Sequence, residues 1–399
     1  MSEKLITNVM MVQSDGGMLE GNIQVEGYRI AHVQSEPVEG FSGTILNGQG
    51  LLALPGFIDI HIHGAVGSDF MDGTKQAYAN IANALPREGT TAFLATTMTQ
   101  SPEAIRTAVD CGKHFMEEQH PEGAEMLGFH LEGPFINKEQ AGAQPAGYIR
   151  PPSMEMMEQW FGHDLGGLSV VTLAPELDED FQVTRQLALR NVLVSAGHTN
   201  ADFITIKEAA SHGLSHLTHF GNAMKGLHHR EIGTVGAGML IDDIFCELIA
   251  DGVHLSEDMI RLMIKTIGPE RMILITDSMM AKGMKDGVYT LGGQEVTVQG
   301  SRATLKDGTL AGSVLKMNDA LKRLHATGTV TMEELVALSS ANAAKQLGVY
   351  DRKGSLTAGK DADIVLLDEQ FNVVATFCRG RMVYINRALD QSERLRGTE

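Results

Sequence analysis

Eight short apolar runs set the limits on what this chain can fold into. Each is followed by polar or glycine-rich residues and then, in several cases, by a helical stretch. In order they are FIDIHIHG from Phe57, TTAFLATT from Thr90 to Thr97, MLGFHLEG from Met126 to Gly133 and LSVVTLAPE from Leu168. The remaining four are NVLVSAGHTN from Asn191, LSHLTHFGNAM from Leu214, FCELIADGVH from Phe245 and RMILITDSM from Arg271. All have strand length and a β-branched or apolar make-up. Helical patterns lie between them over 76–87, 102–119, 203–211 and 256–266, the last opening on Ser256 with Glu257 and Asp258 in its first turn. Alternating strands and helices demand a parallel sheet covered on both faces. Eight such units over roughly 250–300 residues fit a (β/α)8 barrel of the TIM type.

The placement of polar residues favours a barrel over an open, doubly wound sheet. His61 and His63, Thr97, His130 and Glu132, Glu176, His198, His219, His254 and Asp277 all fall at the C-terminal ends of the runs. In a barrel those ends converge on one rim, where chemistry occurs. An open sheet would gather its site at one switch point and would not recruit nearly every strand. The flanks differ in texture. Residues 1–54 and 354–399 alternate short strands with turns, neither long enough for a confident core alone. They are expected to pair into one small β-sandwich domain beside a barrel spanning 55–353.

Charge and composition narrow the function. The chain has 399 residues and a net charge of −18, which repels phosphate backbones and argues against nucleic-acid binding. No apolar run reaches about 18 residues, so no membrane span is expected. The N-terminus lacks the apolar segment of a signal peptide. Cys111, Cys246 and Cys378 are far apart and form no disulfide pattern, which fits the reducing cytoplasm. The 15 histidines are the informative count, since many fall in clusters at the rim positions.

His61 and His63 lie two apart on a strand and so share a face. Two imidazoles side by side form two arms of a metal site, although such a pair also occurs as two core or surface histidines. Glu132, stopped by Gly133 and Pro134, can bind one metal or bridge two, or can be an ordinary strand-end carboxylate. His198 and His219 read alone as satisfied polar residues. With Glu132 they make a three-ligand site with room for water. His216, three residues before His219, falls on the opposite strand face and reads as structural. Asp277 could ligate weakly, act as a general base towards water whose pKa a metal lowers, or cap a helix. The segment NAMKGLHHREIG brings Lys225, His228, His229 and Arg230 together in an acidic chain. It reads either as an anion site, with Arg230 forking onto a phosphate and backbone N–H groups at Asn222 and Ala223 adding donors, or as a solvated basic loop.

Taken together, PGFIDIHIHG, HLEGPF, GAQP, AGHTNA, THFGNAM, HHRE, ADGVH, ITDSM and GTLAGS resemble the N-acetylglucosamine-6-phosphate deacetylases of the amidohydrolase superfamily. The resemblance runs from Leu52 to about Asp368. It implies hydrolysis of the acetamide of a small-molecule amino-sugar phosphate by a cytoplasmic homodimer. It also implies two divalent metals per subunit, zinc or iron, with manganese or cobalt as alternatives. Glu132, His198 and His219 match the ligands of the principal metal. His61 and His63 match the members with a second metal, which shares Glu132 and is approached by Asp277. Glu132 stands where many relatives use a carbamylated lysine. Asp277 matches the catalytic acid/base. Asn222, Ala223, Arg230 and His254 match residues that hold the sugar phosphate, while Ala143, Leu310, Ala311 and Gly312 match residues that line the sugar. Gln144 replaces a histidine that helps to polarise the acetyl carbonyl, as in a Bacillus-type variant. Gly221 stands at a usually aromatic position and Ile232 at a usual proline. The galacto epimer of the substrate is an alternative. A cyclic-amide hydrolase fits less well with Glu132 and Arg230, and an inactive scaffold protein would be expected to have lost ligands.

Overall fold

The computed structural model describes residues 3–12, 17–118 and 122–388. All eight apolar runs become the parallel strands of one sheet: β1 (Phe57–Ile62), β2 (Thr90–Thr97), β3 (Glu125–Glu132), β4 (Leu168–Leu173), β5 (Leu193–Ala196), β6 (Leu214–Leu217), β7 (Phe245–Ile249) and β8 (Met272–Ile275). Neighbours pair in chain order from β1 to β8. The ring closes through a parallel bridge between Ile62 and Ser278, with Asp277 N donating to His61 O at 2.8 Å and His63 N to Ser278 O at 2.9 Å. All six residues of β1 and all eight of β2 are buried, as strands covered on both faces must be. Asp59, tucked under the closure, accepts from Thr276 Oγ1 at 2.5 Å and so ties β1 to the end of β8.

The helices start where their capping residues place them. Thr74 accepts from Ala77 N, Asp202 from Thr205 N and Ser256 from Met259 N, each satisfying a backbone donor of the first turn. The helix Phe203–Ser211 has the expected bounds, and Glu257–Ile267 begins one residue after its Ser256 cap. Gln119, the expected end of the helix Pro102–Glu118, lies outside the described residues. Among the described residues no helix is long and apolar enough to cross a membrane.

The two flanks pair through Leu52–Pro55, which runs antiparallel to Ile364–Leu367 with Ala53 opposite Leu366. Hydrogen bonding joins the terminal strands in one eight-stranded sheet. It has a core of its own, centred on Ile6, Val9, Val25, Ile364 and Phe377. The expected extension of this region through Glu399 lies, from Leu389 on, outside the described residues. A three-stranded sheet, Gly287–Leu291, Gln294–Gln299 and Arg302–Thr304, was not anticipated. It packs on Met98, Ala143, Met279 and Ala311, and Gln294 Nε2 donates to Ala143 O at 2.6 Å.

A buried ionic cluster fastens the C-terminal segment to the start of β3. Lys353 Nζ lies 2.7 Å from Glu125, 3.2 Å from Asp361 and 2.5 Å from Asp363, and Arg352 bridges Glu125 and Asp361. Burial pushes the Glu125 carboxyl up, but Lys353 and Arg352 overcome this and hold it at about 2. Removing one partner of a buried pair strands the others. Lys353→Met is therefore expected to destabilise the fold by about 3–5 kcal/mol in denaturant titrations. Because the folded pKa of Glu125 is depressed, its contribution is complete above its ordinary value near 4.5 and is lost as pH falls towards about 2. Unfolding free energies measured across that window should decline in the wild type and decline less in the variant.

Candidate metal centre

Three residues at the rim share one unusual backbone device. His198, His219 and Asp277 each lie two residues beyond a strand end, and each has a positive φ, at 47°, 31° and 47°. Such left-handed turns cost non-glycine residues about 1–3 kcal/mol each and persist where surrounding bonds over-determine them. Here His198 O accepts from Asn137 N, His219 N donates to Glu247 Oε2, and Asp277 O accepts from Ser313 N. The turns direct all three side chains to one point. Gly312, at φ 61°, approaches Asp277 O so closely that a Cβ would sit 3.0 Å away.

That point is Glu132, at the end of β3 and 2% exposed. Its Oε1 lies 3.2 Å from His198 Nε2, 3.2 Å from His219 Nε2 and 3.5 Å from His61 Nε2. Its Oε2 lies 3.3 Å from His63 Nε2. Asp277 Oδ1 completes the group, 3.5 Å from His61 Nε2 and 3.3 Å from His63 Nε2. The Nε2 atoms of His198 and His219 face each other at 3.0 Å. The Nδ1 atoms of His61, His63 and His198 donate instead to Glu247 Oε2, Thr96 O and Gln140 O. Their Nε2 atoms therefore face a carboxylate.

This arrangement fits divalent cations. Ligand atoms about 2.1 Å from a tetrahedral ion are about 3.4 Å from one another, close to the separations found. Two overlapping groups, Glu132 with His198 and His219, and Glu132 with His61 and His63, could each hold an ion. Imidazole and carboxylate donors without sulfur suit zinc, iron, manganese or cobalt. Burial disfavours the charged form of His63, but Asp277 and Glu132 raise it to about 9. Burial likewise opposes the ionisation of Asp277, and His61 and His63 outweigh it, holding the carboxyl at about 2.

A cavity of about 300 Å3 opens over the cluster. His63, Glu132, His198, His219 and Asp277 form its floor. Ala143, Gln144, Asn222, Ala223 and His254 stand on its walls, and Leu310 and Gly312 with Leu291 and Met98 supply an apolar side. Gln144 Oε1 accepts from Thr99 N at 2.8 Å, which turns Nε2 inward to donate to Glu132 Oε2 at 2.6 Å. Asp251 accepts from His254 Nδ1 at 2.7 Å. Burial pushes the His254 imidazole down, but Asp251 outweighs that and raises it.

Several expected residues are placed elsewhere. His61 is fully buried and reaches Glu132 without lining the cavity. Ala311 is buried in the core of the three-stranded sheet, in one cluster with Met98 and Leu291, and does not line the cavity. Arg230 is exposed on the loop following Asn222 and Ala223, where its Nη1 donates to His229 Nε2 at 2.5 Å, and it does not line the cavity. His130 is buried on Thr172 Oγ1 and Ile60 O. Glu176 accepts from Asn137, Thr199 and Asn200 and so braces two rim loops. His216 is buried against Phe245, away from the cluster. A Cβ at Gly221, where φ is 92°, would sit 3.0 and 3.1 Å from the ends of the Met263 and Leu255 side chains and would hold left-handed backbone that favours glycine. Ile232 is half-buried and packs over Gly236. Glu247, Asp251 and Gln140 were missed. Glu247 alone left a signal, an acid inside the otherwise apolar run FCELI.

A parallel eight-stranded barrel with a carboxylate hub and strand-end histidines defines a class of metal-dependent hydrolases. The chain belongs to the amidohydrolase family, which it matches over residues 52–383. It is 43% identical over 390 residues to an N-acetylglucosamine-6-phosphate deacetylase of Bacillus subtilis, covering 97% of this chain and 98% of that protein. An N-acetylgalactosamine-6-phosphate deacetylase of Escherichia coli O157:H7 is 35% identical, covering 91% of this chain and 96% of that protein. The crystal structure of N-acetylglucosamine-6-phosphate deacetylase from Thermotoga maritima superposes with a TM-score of 0.86 at 37% identity, covering 96% of this chain and all of that one.

Ion binding to the folded cluster but not to the unfolded chain should raise stability by about 4 kcal/mol per ion at a thousandfold excess over Kd. Chelation is therefore expected to lower the Tm and added zinc to restore it. An unchanged Tm across that cycle would count against the cluster as a metal site.

Proposed function

We propose that the chain hydrolyses the acetamide of N-acetylglucosamine 6-phosphate to glucosamine 6-phosphate and acetate, using two divalent ions. Glu132, His198 and His219 hold one ion, and His61, His63 and Glu132 hold the other with Asp277 beside it. The reading rests above all on the convergence of four Nε2 atoms and Asp277 on one buried carboxylate beneath a cavity of sugar size. Its substrate is that of the Bacillus and Thermotoga relatives. Bound ions supply a Lewis acid for the acetyl carbonyl and water of lowered pKa.

The chain's own groups do the rest. The carboxylate of Asp277 takes the proton of the attacking water and returns it to the departing nitrogen, because an amine leaves far more readily than an amide anion. Gln144 has its Oε1 fixed by Thr99, so the second hydrogen of its Nε2 is free to donate to the acetyl oxygen as charge develops there. The backbone N–H of Ala223, with the Asp251-supported imidazole of His254, receives the sugar phosphate, while that of Asn222 is already engaged by His219 O at 3.0 Å. Arg230 meets it from the exposed loop. The apolar side formed by Leu310, Leu291 and Met98 keeps bulk water from the acetamide. The same reading carries a cytoplasmic homodimer, as the sequence resemblance implies.

Acetate release from a panel of N-acetylhexosamines and their 6-phosphates, with metal content measured on the same sample, tests this. The gluco phosphate is expected to give the highest kcat/KM. A higher value for the galacto phosphate would move the assignment to the activity named for the Escherichia coli relative. No acetate from any member would refute the reaction. Asp277→Asn should lower kcat by about 10²–10⁴-fold while leaving substrate affinity and the Glu132/His198/His219 ion in place. Arg230→Ala should raise KM for the phosphorylated sugar and leave the unphosphorylated one unaffected.

A further inference from the structure

We propose that Glu247 is a positioning residue of the metal centre, setting the His61 arm and locking it to the His219 arm. The inference rests on the two-ion reading above. Glu247 lies at the middle of β7, 1% exposed, between Cys246 and Leu248. A buried carboxylate is costly unless it is paired. Among the described residues it forms no ion pair with lysine or arginine, and it does not line the cavity. Its Oε2 accepts two hydrogen bonds, from His61 Nδ1 at 2.9 Å and from His219 N at 2.9 Å. Its Oε1 is buried without a partner.

One oxygen atom thus contacts a ligand of each proposed ion. A carboxylate can only accept, so Nδ1 of His61 carries the hydrogen and Nε2 is left as the donor to the ion. The other imidazoles are oriented differently. His63 and His198 donate to the neutral carbonyls of Thr96 and Gln140, and Nδ1 of His219 is unpartnered. His61 alone among the four has a carboxyl group, rather than a backbone carbonyl or no partner, behind its ring. The β6–β7 contact also fixes the left-handed turn at His219 through its N–H.

Glu247, His61 and His130 are also close enough together to hold an ion of their own. Both ring nitrogens of His130 are already engaged, by Ile60 O and Thr172 Oγ1. The 2.9 Å separation of Nδ1 and Oε2 is a hydrogen-bond length that leaves no space for a cation between them. Glu247 therefore acts through its neighbours.

Two variants separate its charge from its geometry. Glu247→Gln can keep an oxygen at the Oε2 position and both hydrogen bonds, and loses the charge. Glu247→Ala loses everything. Zinc is titrated into the chelator-stripped full-length protein against a chromophoric chelator, with bound metal counted directly. Glu247→Gln is expected to weaken the His61/His63 ion about 10–100-fold and to leave the other within about threefold. Its kcat should be low at stoichiometric zinc and recover in excess zinc, with KM unchanged. Glu247→Ala should weaken both ions. Wild-type affinities in Glu247→Gln, an equal loss at both sites, or a deficit that excess zinc does not restore would each overturn the proposal. A wild-type protein that takes up only one ion refutes the two-ion reading itself, and that outcome is distinct because it appears before any substitution is made.

Discussion

Four imidazole nitrogens face one buried carboxylate, an arrangement that suits a positive charge between them. Neutral imidazoles whose Nδ1 atoms are already donating would aim lone pairs at Glu132. Protonated ones would crowd several cations into a dry barrel, with His198 and His219 only 3.0 Å apart. A divalent ion held between them would resolve both problems and would turn an electrostatic conflict into a coordination shell. The strained turns, the rim loops and the closure of the barrel all serve to hold that conflict in place.

The barrel is well suited to this because it separates stability from chemistry. β1 and β2 are fully buried, and the ionic cluster at Lys353 clamps the start of β3, away from the rim. The rim can then carry left-handed backbone at three ligand positions and a buried, half-satisfied Glu247. Three of the four imidazoles are framed by one element beyond their own strand: Gln140 for His198, Thr96 for His63, Glu247 for His61. Precision at the centre comes from contacts between strands rather than from any single segment.

Much of this was readable in the sequence, for a specific reason. Parallel strands covered on both faces appear as unbroken apolar runs, so all eight strands could be counted. Their polar ends pointed to the rim, and His61, His63, Glu132, His198, His219 and Asp277 do meet there. What the sequence left open was whatever depends on loops and pairing across the fold. Arg230 sits in a basic segment, but nothing local says whether that loop turns inward, and it is exposed. Ala311 sits beside Leu310 and Gly312, yet the small sheet over 287–304 draws its methyl into a separate core. That sheet carried a hairpin signal at Gly292 and Gly293, but its docking on Ala143 depends on a contact 151 residues away in the chain. Glu247 was visible as an acid in an apolar strand, although its partners, His61 and the backbone of His219, belong to other strands.

Anomalous diffraction at the zinc edge, from crystals grown with the metal, tests the central claim most directly. The account predicts two peaks flanking Glu132, each about 2.0–2.2 Å from a carboxylate oxygen. One should be shared with His198 and His219, and the other with His61 and His63. A map without peaks there, with the four rings still packed around Glu132, would contradict it.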